Sequence, residues 1–195
     1  MTYEAYYGNN YSRLVEAQSF LESMAEKMKT EVNPDEDLHP IVYYCSRIKN
    51  PDSMKRKLES RGFPVTLESA LRSVYDAVGI RIICSFANDV QSIVEELENN
   101  PDIEILEKKD YLLHPKPNGY RSIHLCIRLQ KMDALAEIQV RTIAMDFWAT
   151  LEHQLKYKKN IENEGLIRSE LKRCADEIAS VDLSMQTIKE IIKEI

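Results

Sequence analysis

The apolar positions change their period from one stretch of the chain to the next, and the changes mark out its elements. Over 11–30, Leu14, Ala17, Leu21, Met24 or Ala25 and Met28 recur at helical spacing, which predicts a helix. The run NPDED at 33–37 ends it. HPIVYYCSRIKN at 39–50 reads as a short helix that becomes extended. Asn50-Pro51-Asp52-Ser53 marks a turn and a helix start, and the helix closes at Arg61 before Gly62. A further short helix is expected over 67–74. Four strands follow from composition and alternation, at 79–86, 103–108, 122–129 and 134–142. A helix at 87–99 carries Val90, Ile93, Val94 and Leu97 on one face, and another at 143–157 carries the single tryptophan, Trp148. The connection at 130–133 is short enough to pair the last two strands as an antiparallel hairpin.

The last segment is the most regular. Ile167, Leu171, Cys174, Ile178, Val181, Met185, Ile188, Ile192 and Ile195 alternate spacings of four and three, an a/d seam. It fits a long helix lying on its own core, or one that joins a second copy. With no repeat and no low-complexity linker, residues 1–195 read as one domain. Its core spans about 40–160, flanked by the helix at 11–30 and a C-terminal helix at about 164–195.

Strand alternation sorts the polar residues. Ile123, Leu125, Ile127 and Leu129 share one face, with Ser122, His124, Cys126 and Arg128 on the other. Ala136, Ile138 and Val140 oppose Glu137, Gln139 and Arg141, and Arg81 interrupts an isoleucine-rich run. If these strands share a sheet, one face is core and the other presents Arg81, His124, Glu137, Gln139 and Arg141. Such a face is either wet surface or a binding surface. Asp76, just before the 79–86 strand, would then stand near Glu137, and two carboxylates are enough to anchor Mg²⁺ when phosphates supply the other ligands.

HPKPNGYRSIHL at 114–125 leads into a strand with two prolines and an Asn-Gly pair. Pro115 and Pro117 stiffen the chain, and Asn118-Gly119 permits a tight turn. The turn would present Tyr120 beside Lys116, Arg121 and His124. Either the ring stacks on a base while the basic groups meet phosphates, or it is a packed tyrosine in a hairpin turn.

Charge and cysteine content narrow the classes. A net charge of −6 argues against a protein that coats nucleic acid. Yet Arg47, Lys49, Lys55, Arg56, Lys57 and Arg61 cluster, and Lys108, Lys109, Lys116 and Arg121 form a second group. Local basic patches on an acidic chain suit a compact anion such as a nucleotide polyphosphate. Cys45, Cys84, Cys126 and Cys174 lack metal-site spacing and read as reduced, mostly buried thiols. The N-terminal stretch lacks the basic start and apolar run of a signal peptide, and no stretch approaches the ~18 apolar residues of a membrane span. A cytoplasmic location with no membrane partner is expected. With neither GxxxxGK[ST] nor GxGxxG, any nucleotide is gripped by side chains.

SRIK (46–49), DAVGIRI (76–82), HPKPNGYRSIHL (114–125), EIQVRT (137–142) and MDFWATLEH (145–153) stand in the order of the RelA/SpoT synthetase domain. The chain resembles a small alarmone synthetase of that family over about 40–160. The resemblance implies an α+β fold of the nucleotidyltransferase kind, a mixed sheet flanked by helices. It implies a GTP pyrophosphokinase of the stringent response: the 3′-hydroxyl of GDP, GTP or GMP attacks the β-phosphorus of ATP with Mg²⁺ present, giving (p)ppGpp or pGpp and AMP. By matching position it assigns Asp76 and Glu137 to catalysis and metal binding, with Glu137 either activating the hydroxyl or holding the metal. Arg47 and Arg81 would sandwich adenine, and Lys49 and Lys57 would meet ATP phosphates. Tyr120 would stack on guanine, with Lys116, Asn118, Arg121, His124, Gln139 and Arg141 around the acceptor nucleotide.

Two departures stand out. Relatives often carry two basic residues at Glu59 and Ser60, and some carry asparagine at Asp146, where product alarmone activates. Asp146 should repel such a polyphosphate. No His-Asp motif precedes residue 40, so synthesis without hydrolysis is expected. Small relatives form tetramers, which the C-terminal seam fits. Rival readings are a toxin-like enzyme that pyrophosphorylates an adenosine nucleotide or tRNA, an inactive module binding nucleotides or single-stranded RNA, and a helical assembly protein.

Overall fold

The structure is a computed structural model that describes residues 1–30, 39–156 and 163–194. The expected break at 33–37, Tyr157 at the end of the 143–157 helix and Ile195 at the end of the seam lie outside the described residues. In chain order the elements are α1 (Tyr3–Tyr7), α2 (Asn10–Thr30), β1 (Ile41–Ile48), α3 (Pro51–Ser60), α4 (Leu67–Arg72), β2 (Val78–Cys84), α5 (Ala87–Glu98), β3 (Ile103–Asp110), β4 (Ile123–Leu129), β5 (Ala134–Thr142), α6 (Ile143–Lys156) and α7 (Glu164–Lys193). A single turn of 3₁₀ helix, Gln130–Met132, joins β4 to β5.

The five strands form one mixed sheet in the order β1-β2-β5-β4-β3. Only β2 and β5 run parallel; the other neighbours are antiparallel, including the expected β4–β5 pair. The core lies on one face. Val78, Ile80, Ile82, Leu125, Ile127, Ala136, Ile138 and Val140 point there, meeting Leu14, Leu21 and Met28 of α2 and Val90, Val94 and Leu97 of α5. Burying side chains of this size is worth roughly 1.5–3 kcal/mol each. The register is therefore firmly held, because a one-residue slip would turn every one of them outward.

Local signals account for the boundaries. Asn50 caps α3 by accepting from the backbone N–H of Asp52 and Ser53, with Pro51 at the first helical position. Thr66 caps α4 through the N–H of Ser69.

Three expectations are corrected. Residues 41–48 are extended throughout and add a fifth strand. As an edge strand with a bulge between Ile41 and Tyr43, β1 is exposed at half of its positions and shows no clean alternation. The N-terminal helix α1 was not signalled. Its Tyr7 is fully buried and donates its hydroxyl to the Lys49 carbonyl at 2.7 Å. The C-terminal seam does not act as one face. Leu171, Cys174 and Ile178 pack with Trp148 and Tyr120, whereas Val181, Met185, Ile188 and Ile192 are exposed. The second half of α7 instead buries Asp182, which accepts from Thr142 at 2.7 Å, and Gln186. Lys189 bonds Asp89 of α5 at 2.7 Å.

Candidate active site

The face of the sheet opposite the core carries the chemistry. Register places Cys45 opposite Arg81, and Arg47 opposite Gly79, on β1 and β2. Arg81 then faces Gln139 and Gly79 faces Glu137 across the parallel junction. His124 faces Gln139, and Cys126 faces Glu137, on β4. The three strands thus form one continuous polar surface of Arg81, Glu137, Gln139, Arg141 and His124. Cys45, Arg47, Asp76, Gly79, Arg81, Glu137 and Gln139 line an open cleft of about 110 Å³.

Asp76 sits at the β1–α3 side of the cleft. Its Oδ2 accepts from Lys49 Nζ at 2.7 Å and lies 2.6 Å from Lys57 Nζ. Burial pushes its carboxyl up, but the two ammonium groups win and hold it below the ordinary aspartate value. Asp76 Oδ1 is buried and has no hydrogen-bond partner. A buried, ionised, singly used carboxylate is the donor that a hard divalent ion takes. No cluster of three or more metal-ligating side chains exists among the described residues. The fit is therefore to an ion held by one or two carboxylates and by phosphate oxygens, as Mg²⁺ commonly is.

Glu137 is the second carboxylate of the cleft. Oε1 lies 3.2 Å from His124 Nδ1 and Oε2 accepts from Gln139 Nε2 at 2.9 Å. Burial raises its pKa, but His124, Gln139 and the charge of Lys57 outweigh that and bring it down to about 2. At neutral pH Glu137 is an anion with one partner on each oxygen and lone pairs to spare. His124 extends the chain of contacts, since its Nε2 lies 2.9 Å from the Tyr120 hydroxyl. Tyr120, His124 and Glu137 are thereby linked in series.

On the β1 side, Arg47 and Arg81 are diagonal neighbours on paired strands. Such positions stand about 7–8 Å apart, which leaves room for a flat ring with a contact of about 3.5 Å on each side. On the β4 side, the loop before the strand makes the expected tight turn. Gly119 N–H donates to the Lys116 carbonyl at 2.8 Å, and Gly119 holds a φ of +88°, a conformation that favours glycine. Tyr120 is half-buried, with Lys116 Nζ 4.9 Å from its ring centroid.

Not every expected residue reaches this surface. Arg121 turns away to α7, donating to Asp176 at 2.9 Å and to the Gly119 carbonyl at 2.9 Å. Strand-like alternation points it opposite to Tyr120. Asn118 donates to Glu152 of α6 at 3.0 Å. Arg141 stays on this face but is buried, donating to Asp146 at 2.5 Å with its guanidinium 6.0 Å from the Tyr120 ring centroid. Asp146 also accepts from the Tyr43 hydroxyl at 2.5 Å and lies 3.5 Å from Arg81. The expectation that Asp146 adds a repelling charge needs revision, because two guanidinium groups neutralise it. The second basic cluster also dissolves: Lys108 pairs with Glu98, Lys109 with Glu107 and Arg121 with Asp176. Glu59, Ser60 and Arg61 are exposed at the end of α3. Of the four free cysteines, Cys84 and Cys126 are buried and Cys45 is exposed at the cleft.

Residues that the sequence reading missed include Tyr111, whose ring meets His124 edge-on at 5.2 Å and lies 4.5 Å from Lys116 Nζ. The signal was available in parity: Lys109 pairs with His124, so a residue two further on returns to the same face. Tyr43 and Glu152 were also missed, and no local pattern marks them.

A family model described as a region found in RelA / SpoT proteins matches residues 46–162, which takes in the cleft and both of its carboxylates. The chain belongs to the RelA/SpoT family. This RelA/SpoT chain is 41% identical over 157 residues to the GTP pyrophosphokinase YwaC of Bacillus subtilis, covering 77% of this chain and 75% of the relative. It is 31% identical over 190 residues to the GTP pyrophosphokinase YjbM of the same organism, covering 93% and 89%. Its fold superposes on the crystal structure of small alarmone synthetase 1 from Bacillus subtilis bound to its product pppGpp. That match has a TM-score of 0.83 and 30% identity, and covers 93% of this chain and 95% of the other.

Proposed function

We propose that this RelA/SpoT chain is an ATP-dependent pyrophosphokinase that transfers pyrophosphate to the 3′-hydroxyl of a guanosine nucleotide, forming (p)ppGpp and AMP. The observation that carries the reading is the convergence of Asp76 and Glu137 on one cleft, with Arg47 and Arg81 at its β1 side and Tyr120 linked to Glu137 through His124. Arg47 and Arg81 hold adenine between planar cations, a role lysine cannot fill. Lys49 and Lys57 meet the ATP phosphates from their positions at Asp76. Tyr120 offers its ring to guanine, and Glu137 accepts the hydrogen bond of the 3′-hydroxyl and orients it. A new bond forms between that oxygen and the β-phosphorus, the bond from the β-phosphorus to the α,β-bridging oxygen breaks, AMP leaves with that oxygen, and the hydroxyl proton is released to solvent. Such transfers depend chiefly on positioning and on charge neutralisation. Asp76 and Glu137 would hold Mg²⁺, which would supply neutralisation of the phosphate charge. We place the reaction in the cytoplasm, consistent with free thiols at all four cysteines; no helix among the described residues is long and apolar enough to cross a membrane.

The test is an acceptor screen. The protein, Mg²⁺ and γ-labelled ATP are incubated separately with GMP, GDP, GTP, an adenosine nucleotide and tRNA. Label should move to a guanosine nucleotide, with one AMP formed per transfer. Label on tRNA or on the adenosine nucleotide alone would replace this reading with the toxin-like one.

We assign self-association to the outer edge of α7. This helix buries polar groups on its own subunit and leaves Met185 at 48%, Ile188 at 48% and Ile192 at 67% exposure, an inversion that a second copy would relieve. We expect a tetramer. The paired substitution Ile188→Glu with Ile192→Glu should lower the mass measured by light scattering while leaving the circular-dichroism spectrum unchanged, since both side chains are exposed on the single chain. An unchanged mass would remove this edge as the contact.

A further inference from the structure

The loop that carries Tyr120 is not held by the sheet alone. Arg121 Nη1 donates to the Gly119 carbonyl at 2.9 Å and to the Ala175 carbonyl of α7 at 3.4 Å, and Nη2 donates to Asp176 at 2.9 Å. One guanidinium therefore ties the turn to a backbone carbonyl and a carboxylate of the same helix. The approach is close as well as bonded. A methyl group built on Gly119 would stand 2.5 Å from the Ala175 Cβ and 3.4 Å from the Lys172 backbone. The turn thus needs glycine for two reasons: its φ of +88° and the helix lying against it. Beneath the turn, Tyr120 packs with Trp148, Leu171, Cys174 and Ile178, and Trp148 donates its indole N–H to the Leu171 carbonyl at 2.9 Å. None of these contacts touches the β1 side of the cleft, where Arg47, Lys49, Lys57 and Asp76 lie.

We propose that α7 is the support of the acceptor-nucleotide loop, with Arg121 and Asp176 as positioning residues that set affinity for the acceptor and leave ATP unaffected. The inference rests on the assignment of Tyr120 and its turn to the acceptor. It reassigns Arg121 from a nucleotide contact to a clamp. Arg121 is mostly buried, whereas Asp176 is partly exposed and shares its other oxygen with Lys172 at 2.6 Å. An ion pair of this kind contributes modestly, and its loss should show as about a two- to fivefold effect on loop order. Because Lys172 loses a partner in any Asp176 variant, Lys172→Met serves as the control.

The experiment measures KM for ATP and for the acceptor separately in Asp176→Asn, Arg121→Met and the double variant, with GDP as the acceptor probe. The expected result is a rise of about two- to fivefold in the KM for GDP in each, with the KM for ATP and kcat unchanged. The double variant should be no worse than the worse single one, because the pair acts as a unit. Gly119→Ala should raise the KM for GDP, and adding Ala175→Gly should recover part of the loss.

If Arg121 instead touches the nucleotide, Arg121→Met alone weakens GDP and Asp176→Asn leaves it unchanged, which overturns the clamp. Equal effects on both substrates would also overturn it by showing a general loosening. Failure of the functional reading looks different, because the unaltered protein would then transfer nothing to GDP.

Discussion

Glu137→Gln is expected to abolish most turnover while leaving nucleotide binding intact. The substitution keeps the side chain's shape and its contact with Gln139 but removes the negative charge that His124, Gln139 and Lys57 stabilise. A carboxylate held down to about 2 is a weak base. Its value lies in a permanent charge aimed at the reacting hydroxyl, or at a cation beside it, and an amide offers neither. Losing one preorganised electrostatic contact to the reacting group costs typically about 10²–10³-fold in rate. The rate of AMP formation from ATP and GDP, with binding followed by calorimetry, separates the two effects. Turnover equal to that of the unaltered protein would remove Glu137 from the mechanism, and a parallel loss of binding would make it a pocket residue.

Asp76→Asn should produce effects of opposite sign with and without Mg²⁺. In the structure one carboxylate oxygen faces both Lys49 and Lys57, so the carboxylate competes with a phosphate for the same two cations. An amide releases them. Binding of ATP without Mg²⁺ should tighten, by about tenfold if the release is worth roughly 1.4 kcal/mol. Turnover with Mg²⁺ should fall by at least about 10²-fold, because the anionic oxygen that fits the ion is gone and neutralisation of the transferring group is lost. Calorimetric titration of ATP in EDTA and steady-state rates in Mg²⁺ test the two halves. Unchanged turnover would exclude Asp76 as the metal ligand, and unchanged ATP affinity in EDTA would show that the two lysines do not reach the phosphates. Near-UV circular dichroism checks that the variant is folded.

Much of this site was legible in the sequence, for an identifiable physical reason. The inner strands obey period two, so Arg81, Glu137, Gln139 and His124 could be placed on one face before any register was known. Register then made them adjacent, across both the parallel junction and the hairpin. What escaped was information that alternation does not carry. The edge strand β1 is partly exposed on both faces and carries a bulge, so its alternation was hidden. Arg121 follows Tyr120 in the chain but points the other way, and its partner Asp176 is 55 residues distant. In α7 the periodicity was real, yet a period does not say which side of a helix meets its own subunit. There, Thr142 and Asp89 draw Asp182 and Lys189 inward, and the isoleucines are left outside.

The single parallel pairing has a further consequence. Every side chain assigned to the phosphate donor precedes residue 82, and every one assigned to the recipient follows residue 115. The two groups become one catalyst only where Gly79 of β2 meets Glu137 of β5. A ribosome that has released the first hundred residues has exposed the donor half with nothing to react against. A chain that stops before the second carboxylate therefore lacks the β5 wall of the cleft, Glu137 and Gln139.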